Sequence, residues 1–116
     1  TPNIIVDFHA EATAEKKAMG YYLDGRVTAV LGTHTHVQTA DEHILPGGTA
    51  YITDVGMTGP EESVLGVAKE LAIEKQRLNF PVRFMEASAP CFVNAVVVDF
   101  DEKTGRARSI ERVIAR

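Results

Sequence analysis

Gly32-Thr33-His34-Thr35-His36-Val37 places two histidines where a predicted strand gives way to a loop. The preceding run, residues 27–31, is apolar and rich in β-branched side chains, which is typical of a buried strand. Residues i and i+2 of an extended backbone point to the same side, so His34 and His36 are expected to direct both imidazoles at one point. Thr33 and Thr35 are then expected to lie on the opposite side. Neutral imidazoles bind Zn, Fe, Mn and similar ions, and the pair therefore favours a metal site.

A third histidine, His9, stands at a similar junction, after the apolar strand predicted over residues 3–8. A helix is predicted between the two strands over residues 11–24, ending at Asp24-Gly25. Strands joined by such a crossover are parallel, and functional side chains then lie at their carboxyl ends. The sequence therefore predicts that His9 lies beside the His34 and His36 pair at one edge of the sheet.

Structural interpretations of these residues remain open beside the functional one. A histidine at a strand end is more often a surface or hydrogen-bonded residue than a metal ligand. His43 is predicted to be a surface residue, and Asp54, after an apolar strand, is predicted to hydrogen-bond the loop backbone. Cys91, next to Pro90 and an apolar run, is predicted to be a buried structural thiol.

Hydrophobic periodicity predicts a mixed α/β fold that starts with a parallel β-α-β unit and ends in antiparallel strands. The first helix is expected to bury Ala12, Met19, Tyr22 and Leu23, and to expose Glu15, Lys16 and Lys17. Beyond it, the predictions are a strand over 50–55 that forms a hairpin around Pro46-Gly47-Gly48, a glycine-rich loop over 56–60, a helix over 62–78, and strands over 82–87, 92–100 and 109–114.

Composition narrows the classes of function. The net charge of -4 over 116 residues gives no basic footprint, so nucleic acid is not expected to bind through phosphate attraction alone. Sequence-specific nucleic-acid binding is not expected either. One cysteine excludes an internal disulfide framework and fits a reducing compartment, so a cytoplasmic location is expected. No apolar run approaches the length that spans a membrane, and no membrane partner is expected.

Three motifs then point to a known family. Residues 7–16 (Asp-Phe-His-Ala-Glu-Ala-Thr-Ala-Glu-Lys), 32–41 (Gly-Thr-His-Thr-His-Val-Gln-Thr-Ala-Asp) and 51–60 (Tyr-Ile-Thr-Asp-Val-Gly-Met-Thr-Gly-Pro) closely resemble the YmdB-like branch of the calcineurin-like metallophosphoesterases. The resemblance covers essentially the whole chain. It implies an α/β sandwich and the metal-dependent hydrolysis of small phosphodiesters such as 2′,3′-cyclic nucleotides.

By this resemblance, His9, His34 and His36 would be metal ligands. Asp7 and Glu11 are candidates for orienting an imidazole from behind, although Glu11 could equally serve the start of the helix. Two ions would be bound, with Fe or Mn favoured and Zn an option. They would polarise the phosphoryl group and activate a hydroxide for in-line attack.

The family domain is about twice as long as this chain, within the normal range for one domain. Residues 1–116 therefore resemble its C-terminal half alone. The other ligands and the histidine that protonates the leaving oxygen would lie in the N-terminal half, so no catalytic residue is assigned here and the isolated chain is expected to be inactive. Two alternatives stay open: a mononuclear three-histidine hydrolase, and a non-catalytic regulatory or oligomerisation module. A homo-oligomer also remains an option.

Overall fold

The fold is described for all residues, 1–116, by a computed structural model. The strands are β1 (Ile5–His9), β2 (Ala29–Thr33), β3 (His43–Ile44), β4 (Ala50–Ile52), β5 (Thr58–Pro60), β6 (Cys91–Phe100) and β7 (Ala107–Ala115), and the helices are α1 (Thr13–Leu23) and α2 (Lys69–Leu78). The chain forms two compact units. The first comprises residues 1–57 and 94–113, and the second comprises residues 58–93 and 114–116.

A four-stranded sheet of order β1-β2-β4-β3 forms the centre of the first unit. Strands β1, β2 and β4 run parallel, and β3 pairs antiparallel with β4 around the predicted hairpin turn. The pairing of β1 with β2 ends with His9 opposite Thr33, so both strands finish at the same edge. The predicted β-α-β unit, the hairpin and the mixed α/β class are confirmed.

The two faces of this sheet pack against different layers. On one face, Val30 and Tyr51 pack with Met19 and Leu23 of α1. On the other, Ala29, Ala50 and Ile52 pack with the strand residues Ala107 and Ile110 and with apolar side chains of β6. Because β2 and β4 are covered on both faces, apolar and polar residues do not alternate along them, as is usual for parallel strands.

The predicted buried face of α1 is partly wrong. Tyr22 is 69 % exposed, whereas Lys16, which the amphipathic pattern placed toward solvent, is only 1 % exposed. Gly20 stands one turn beyond Lys16 and lies against the ring of Tyr51, so the helix turns this side to the sheet. Amphipathicity misassigns Lys16 because the pattern treats every charge as solvated, and this charge has a buried partner.

The second unit departs most from the predictions. The helix predicted over 62–78 begins only at Lys69, because Leu65 and Gly66 adopt positive φ values of 55° and 97° that end any right-handed helix. Residues 58–60, predicted as loop, form β5 and pair antiparallel with the start of β6. Residues 82–87, predicted as a strand, make only a single bridge, between Val67 and Glu86. Alternation of apolar and polar residues indicates a strand only where a second strand lies alongside to pair with it.

Two smaller predictions concern single residues. Cys91 is exposed rather than buried, because it occupies the first position of β6 and its side chain points outward. Gly25 has a φ of 79°, as predicted for the left-handed residue that follows α1. Neither helix is long and apolar enough to cross a membrane.

Candidate metal centre

The carboxyl ends of β1 and β2 bring two of the predicted ligands into contact. His9 is the last residue of β1, and His34 follows the last residue of β2. Nδ1 of His34 lies 3.3 Å from Nε2 of His9, and the two rings meet edge to face with centroids 5.1 Å apart. The predicted proximity of His9 and His34 is thus present, and both side chains are open to solvent.

The backbone that carries the histidines is not extended, contrary to the reasoning that placed His34 and His36 on one side. The strand ends at Thr33, and the following residues form a bend in which His34 has a φ of 136° and His36 a φ of 65°. Positive φ values are uncommon for residues with a side chain and persist only where the surroundings enforce them. Such outliers cluster at functional sites, which favours a role for this loop beyond connection.

Thr33 links Asp7 to His9. Its hydroxyl donates to Oδ1 of Asp7 at 3.2 Å, and the same oxygen lies 3.1 Å from Nδ1 of His9. Because the Thr33 proton goes to Asp7, Nδ1–H of His9 donates to Thr33. Nε2 of His9 then carries a lone pair and faces His34. Asp7 thus reaches the imidazole of His9 through Thr33, a residue that sequence reasoning assigned to the opposite side. Its role in orienting a metal ligand stays a prediction.

Asp54 anchors the loop that carries His34 and His36. Its carboxylate, fully buried, accepts the backbone N–H of Thr35 at 2.8 Å and that of Gly56 at 2.9 Å. Nζ of Lys16 donates to the same carboxylate at 3.1 Å, making a buried ion pair. The predicted hydrogen bond of Asp54 to the glycine-rich loop over 56–60 is confirmed at Gly56, whereas its bond to Thr35 and its partnership with Lys16 were missed. The sequence signal for this ion pair was a carboxylate in an apolar stretch, because a buried charge is usually paired with an opposite charge.

Burial alone would raise the pKa of Asp54, but the hydrogen bonds from Thr35, Gly56 and Lys16 outweigh it and hold the pKa below its ordinary value. A carboxylate with a lowered pKa stabilises the fold fully above about pH 4, the ordinary value for an unfolded aspartate. That stabilisation is lost as the pH falls toward the lower pKa of the folded state.

We therefore expect the double variant Lys16→Met, Asp54→Asn, which removes the carboxylate without leaving a buried ammonium group unpaired, to lose part of the acid sensitivity of the fold. The unfolding free energy, measured by denaturant titration at pH 7 and pH 3, should fall less between the two in this variant than in the unaltered protein. Asp99→Asn is the matched control, because Asp99 pairs only with exposed Arg108 at the surface. Equal acid sensitivity in the double variant and the unaltered protein would contradict this assignment.

The remaining candidates are not gathered into the same cluster. No group of three or more His, Cys, Asp or Glu side chains is arranged to hold a metal ion. Glu11 is exposed and makes no hydrogen bond, and it precedes the helix. His43 is exposed as predicted. Its Nδ1 is hydrogen-bonded to the carbonyl oxygen of Asp41, and its ring lies edge to face against the ring of Tyr51. The two-histidine contact of His9 and His34 is thus the centre of the candidate site.

Comparison with known proteins extends these observations. The chain is 57 % identical over 114 residues to a 2′,3′-cyclic-nucleotide 2′-phosphodiesterase of Bacillus subtilis (strain 168), a match that covers 98 % of this chain and 43 % of that protein. The crystal structure of a hypothetical protein from Thermus thermophilus matches 97 % of this chain and 44 % of its own, with a TM-score of 0.90 and 42 % identity. A crystal structure described as a novel phosphatase, from Mycoplasma pneumoniae, matches 94 % of this chain and 39 % of its own, with a TM-score of 0.88 and 42 % identity.

The chain thus spans about two fifths of the length of these relatives. The family described as YmdB-like protein matches residues 1–113, which include both strand ends, the loop that carries His34 and His36, and Asp54. The resemblance seen in the three sequence motifs is confirmed over nearly all of the chain, and the chain belongs to the family of YmdB-like proteins.

Proposed function

We propose that the full-length protein is a metal-dependent phosphodiesterase that hydrolyses small phosphodiesters such as 2′,3′-cyclic nucleotides. The observation that carries the proposal is the contact between His9 and His34 at the carboxyl ends of two parallel strands. Those ends are where α/β proteins place their ligands. The names of the Bacillus and Mycoplasma relatives, a phosphodiesterase and a phosphatase, support the class of reaction.

The donor atoms of the pair fit a metal ion. Two imidazole nitrogens that are each about 2.0–2.1 Å from one ion lie roughly 3.0–3.4 Å apart. Nε2 of His9 and Nδ1 of His34 are separated by 3.3 Å. The hydrogen bond of His9 to Thr33 leaves Nε2 as the free lone pair, which is the arrangement that supports a ligating histidine.

In this proposal His9 and His34 hold the metal from this part of the protein. His36 joins them if its ring turns to the same ion, and the remaining ligands come from the rest of the full-length protein, as the family resemblance implies. Fe or Mn, as two ions, suits such a mixed nitrogen and oxygen ligand set, and Zn is a further option. Bound there, the ions supply positive charge that polarises the phosphoryl group and favours ionisation of the attacking water.

The protein's own side chains orient the histidines that would bind the metal. Thr33 and Asp7 fix the ring of His9 in one tautomer, and Asp54 holds the loop that presents His34. The metallophosphoesterase α/β sandwich is part of the proposal, supported by the sheet that packs against β6 and β7 in the first unit. Because the net charge of the chain is -4, bound ions would supply the positive charge that attracts a phosphodiester.

The direct test is hydrolysis of 2′,3′-cyclic AMP by the purified full-length protein, with and without added Mn²⁺. We expect release of adenosine monophosphate that stops on chelation and returns with metal. His9→Ala should abolish turnover and His43→Ala should leave it unchanged. Turnover that survives removal of all metal would contradict the proposal. Self-association without bound metal would favour a non-catalytic regulatory or oligomerisation module, and one ion per chain with turnover would favour a mononuclear hydrolase.

Thr33→Val tests the link between Asp7 and His9. Valine keeps the volume of threonine but cannot accept the Nδ1 proton, so the ring of His9 loses its fixed tautomer. Loss of such a supporting contact lowers metal affinity by about 10–100-fold, measurable by Mn²⁺ titration calorimetry. Thr58→Val is the control, because Thr58 is an exposed strand threonine whose hydroxyl makes no hydrogen bond. Equal affinities in the two variants would refute the role of Thr33.

A further inference from the structure

A buried ion pair lies directly beneath the histidine loop, here defined as residues 34–38. Lys16 and Asp54 are 1 % and 0 % exposed, and neither belongs to the set of groups that would touch a metal or a substrate. A buried ion pair is weak evidence for stability, because an apolar pair of similar volume often serves as well. Its presence at this position therefore calls for another explanation.

Asp54 contacts the histidine loop at Thr35 and the residue just after the loop, Thr39. Its carboxylate accepts the N–H of Thr35, the residue between the two histidines. Its backbone is tied to Thr39, just past the loop: the N–H of Asp54 donates to the Thr39 hydroxyl at 2.9 Å, and the N–H of Thr39 donates to the Asp54 carbonyl at 3.0 Å. A single residue thus fixes the chain on both sides of His36.

The backbone between these two points is the strained part of the site. His34 and His36 flank Thr35, and both have positive φ values. A residue held in such a region is strained and needs surroundings that enforce its conformation. The contact nearest to these two residues is the hydrogen bond from the Thr35 N–H to the buried, charged carboxylate of Asp54. Such a charge-assisted bond is strong enough to hold the backbone in this conformation.

Lys16 compensates the buried charge of that acceptor. Its side chain crosses Gly32, where a Cβ would stand 3.2 Å from Cδ of Lys16, and places Nζ 3.1 Å from Oδ2 of Asp54. Without the ammonium group, the carboxylate would sit in the interior with backbone donors alone. A neutral side chain in its place would offer one acceptor oxygen to two N–H donors, those of Thr35 and Gly56.

We propose that Asp54, whose buried charge Lys16 compensates, is a positioning residue that holds the histidine loop in the conformation that presents His34 to the metal. The inference deepens the proposed function and rests on it for the identity of the ligand. The position of the loop itself can be measured without metal, so the two proposals can fail separately.

The test compares Lys16→Met, Asp54→Asn and the double variant, each in the full-length protein. Three quantities are measured: the Tm, the affinity for Mn²⁺ alone by titration calorimetry, and the rate of amide hydrogen exchange at residues 34–38 in the metal-free protein. Lys16→Met leaves a buried carboxylate without its cation, so the Tm should fall by more than about 10 °C. The carboxylate still accepts both N–H groups, so exchange and Mn²⁺ affinity should stay within about 3-fold of the unaltered protein, the spread of ordinary context effects.

The double variant separates positioning from stability. It removes both buried charges, so its Tm should recover to near that of the unaltered protein. Its asparagine cannot accept both N–H groups, so exchange at residues 34–38 should rise and Mn²⁺ affinity should fall by about 10–100-fold. Asp54→Asn alone should lose both stability and affinity, since it leaves the Lys16 ammonium unpaired.

Two results would overturn the proposal. In one, the double variant keeps the exchange rate and Mn²⁺ affinity of the unaltered protein, which would make the pair a stabilising contact only. In the other, Lys16→Met loses affinity as completely as the double variant, so that affinity follows stability alone. Absence of Mn²⁺ binding by the unaltered protein would defeat the proposed function instead, and hydrogen exchange would still decide the positioning role of Asp54.

Discussion

Gly32→Ala is expected to destabilise the first unit by more than about 4 kcal/mol, the range reached only by severe steric or electrostatic disruption. A Cβ at this position would overlap the carbonyl oxygen of Thr53 and stand 2.7 Å from its carbonyl carbon. It would also meet the stem of Lys16, which crosses the glycine to reach Asp54. The neighbouring atoms of Thr53 are backbone, so they cannot turn aside as the end of a flexible side chain could.

The measurement is the unfolding free energy by denaturant titration, with Gly66→Ala as the control. Gly66 has a φ of 97° but open space around it, so alanine there meets only the penalty of its backbone conformation, about 1–2 kcal/mol. We expect Gly32→Ala to be far less stable than Gly66→Ala. Similar losses in the two variants would show that the contact between Gly32 and Thr53 is not as close as described.

His34→Ala should produce the largest functional effect, the loss of metal and of nearly all turnover. His34 presents one of the two nitrogens in contact at the strand ends, and no other side chain replaces it there. Loss of a supporting contact already lowers affinity by about 10–100-fold, and loss of a ligand should exceed that range. Elemental analysis of the purified full-length protein measures the bound metal directly.

The chain provides its own control for this experiment. His43→Ala removes a histidine of the same first unit that contacts Asp41 and Tyr51 instead of His9. It should retain the metal content of the unaltered protein, and its circular dichroism spectrum and that of His34→Ala should both show a folded protein. Full metal content in a folded His34→Ala variant would exclude His34 as a ligand.

Much of the first unit could be predicted because its signals are local. An apolar run, a helix that ends before Gly25 and a second apolar run define the β-α-β unit, and the parallel strands carry His9 and His34 to one edge. The hairpin around Pro46-Gly47-Gly48 follows from its turn residues in the same way. These inferences depend on neighbours in the sequence, so no knowledge of distant contacts was needed.

The parts that could not be predicted depend on contacts between residues far apart in the chain. Lys16 looked solvated because its partner, Asp54, lies 38 residues away. Thr33 was assigned to the opposite side because its bonds to Asp7 and His9 cross between strands. The positive φ of His34 overturned the extended backbone assumed for the pair, since only tertiary hydrogen bonds enforce such a conformation.

The central claim is that His9 and His34 together bind a metal ion, and diffraction from crystals of the full-length protein grown with Mn²⁺ tests it most directly. An anomalous difference map collected near the manganese edge locates the ion without assumptions about its ligands. We expect a peak about 2.0–2.2 Å from both Nε2 of His9 and Nδ1 of His34, a normal length for a metal–nitrogen bond. A map with no peak there, and with the two nitrogens still in direct contact, would contradict the account.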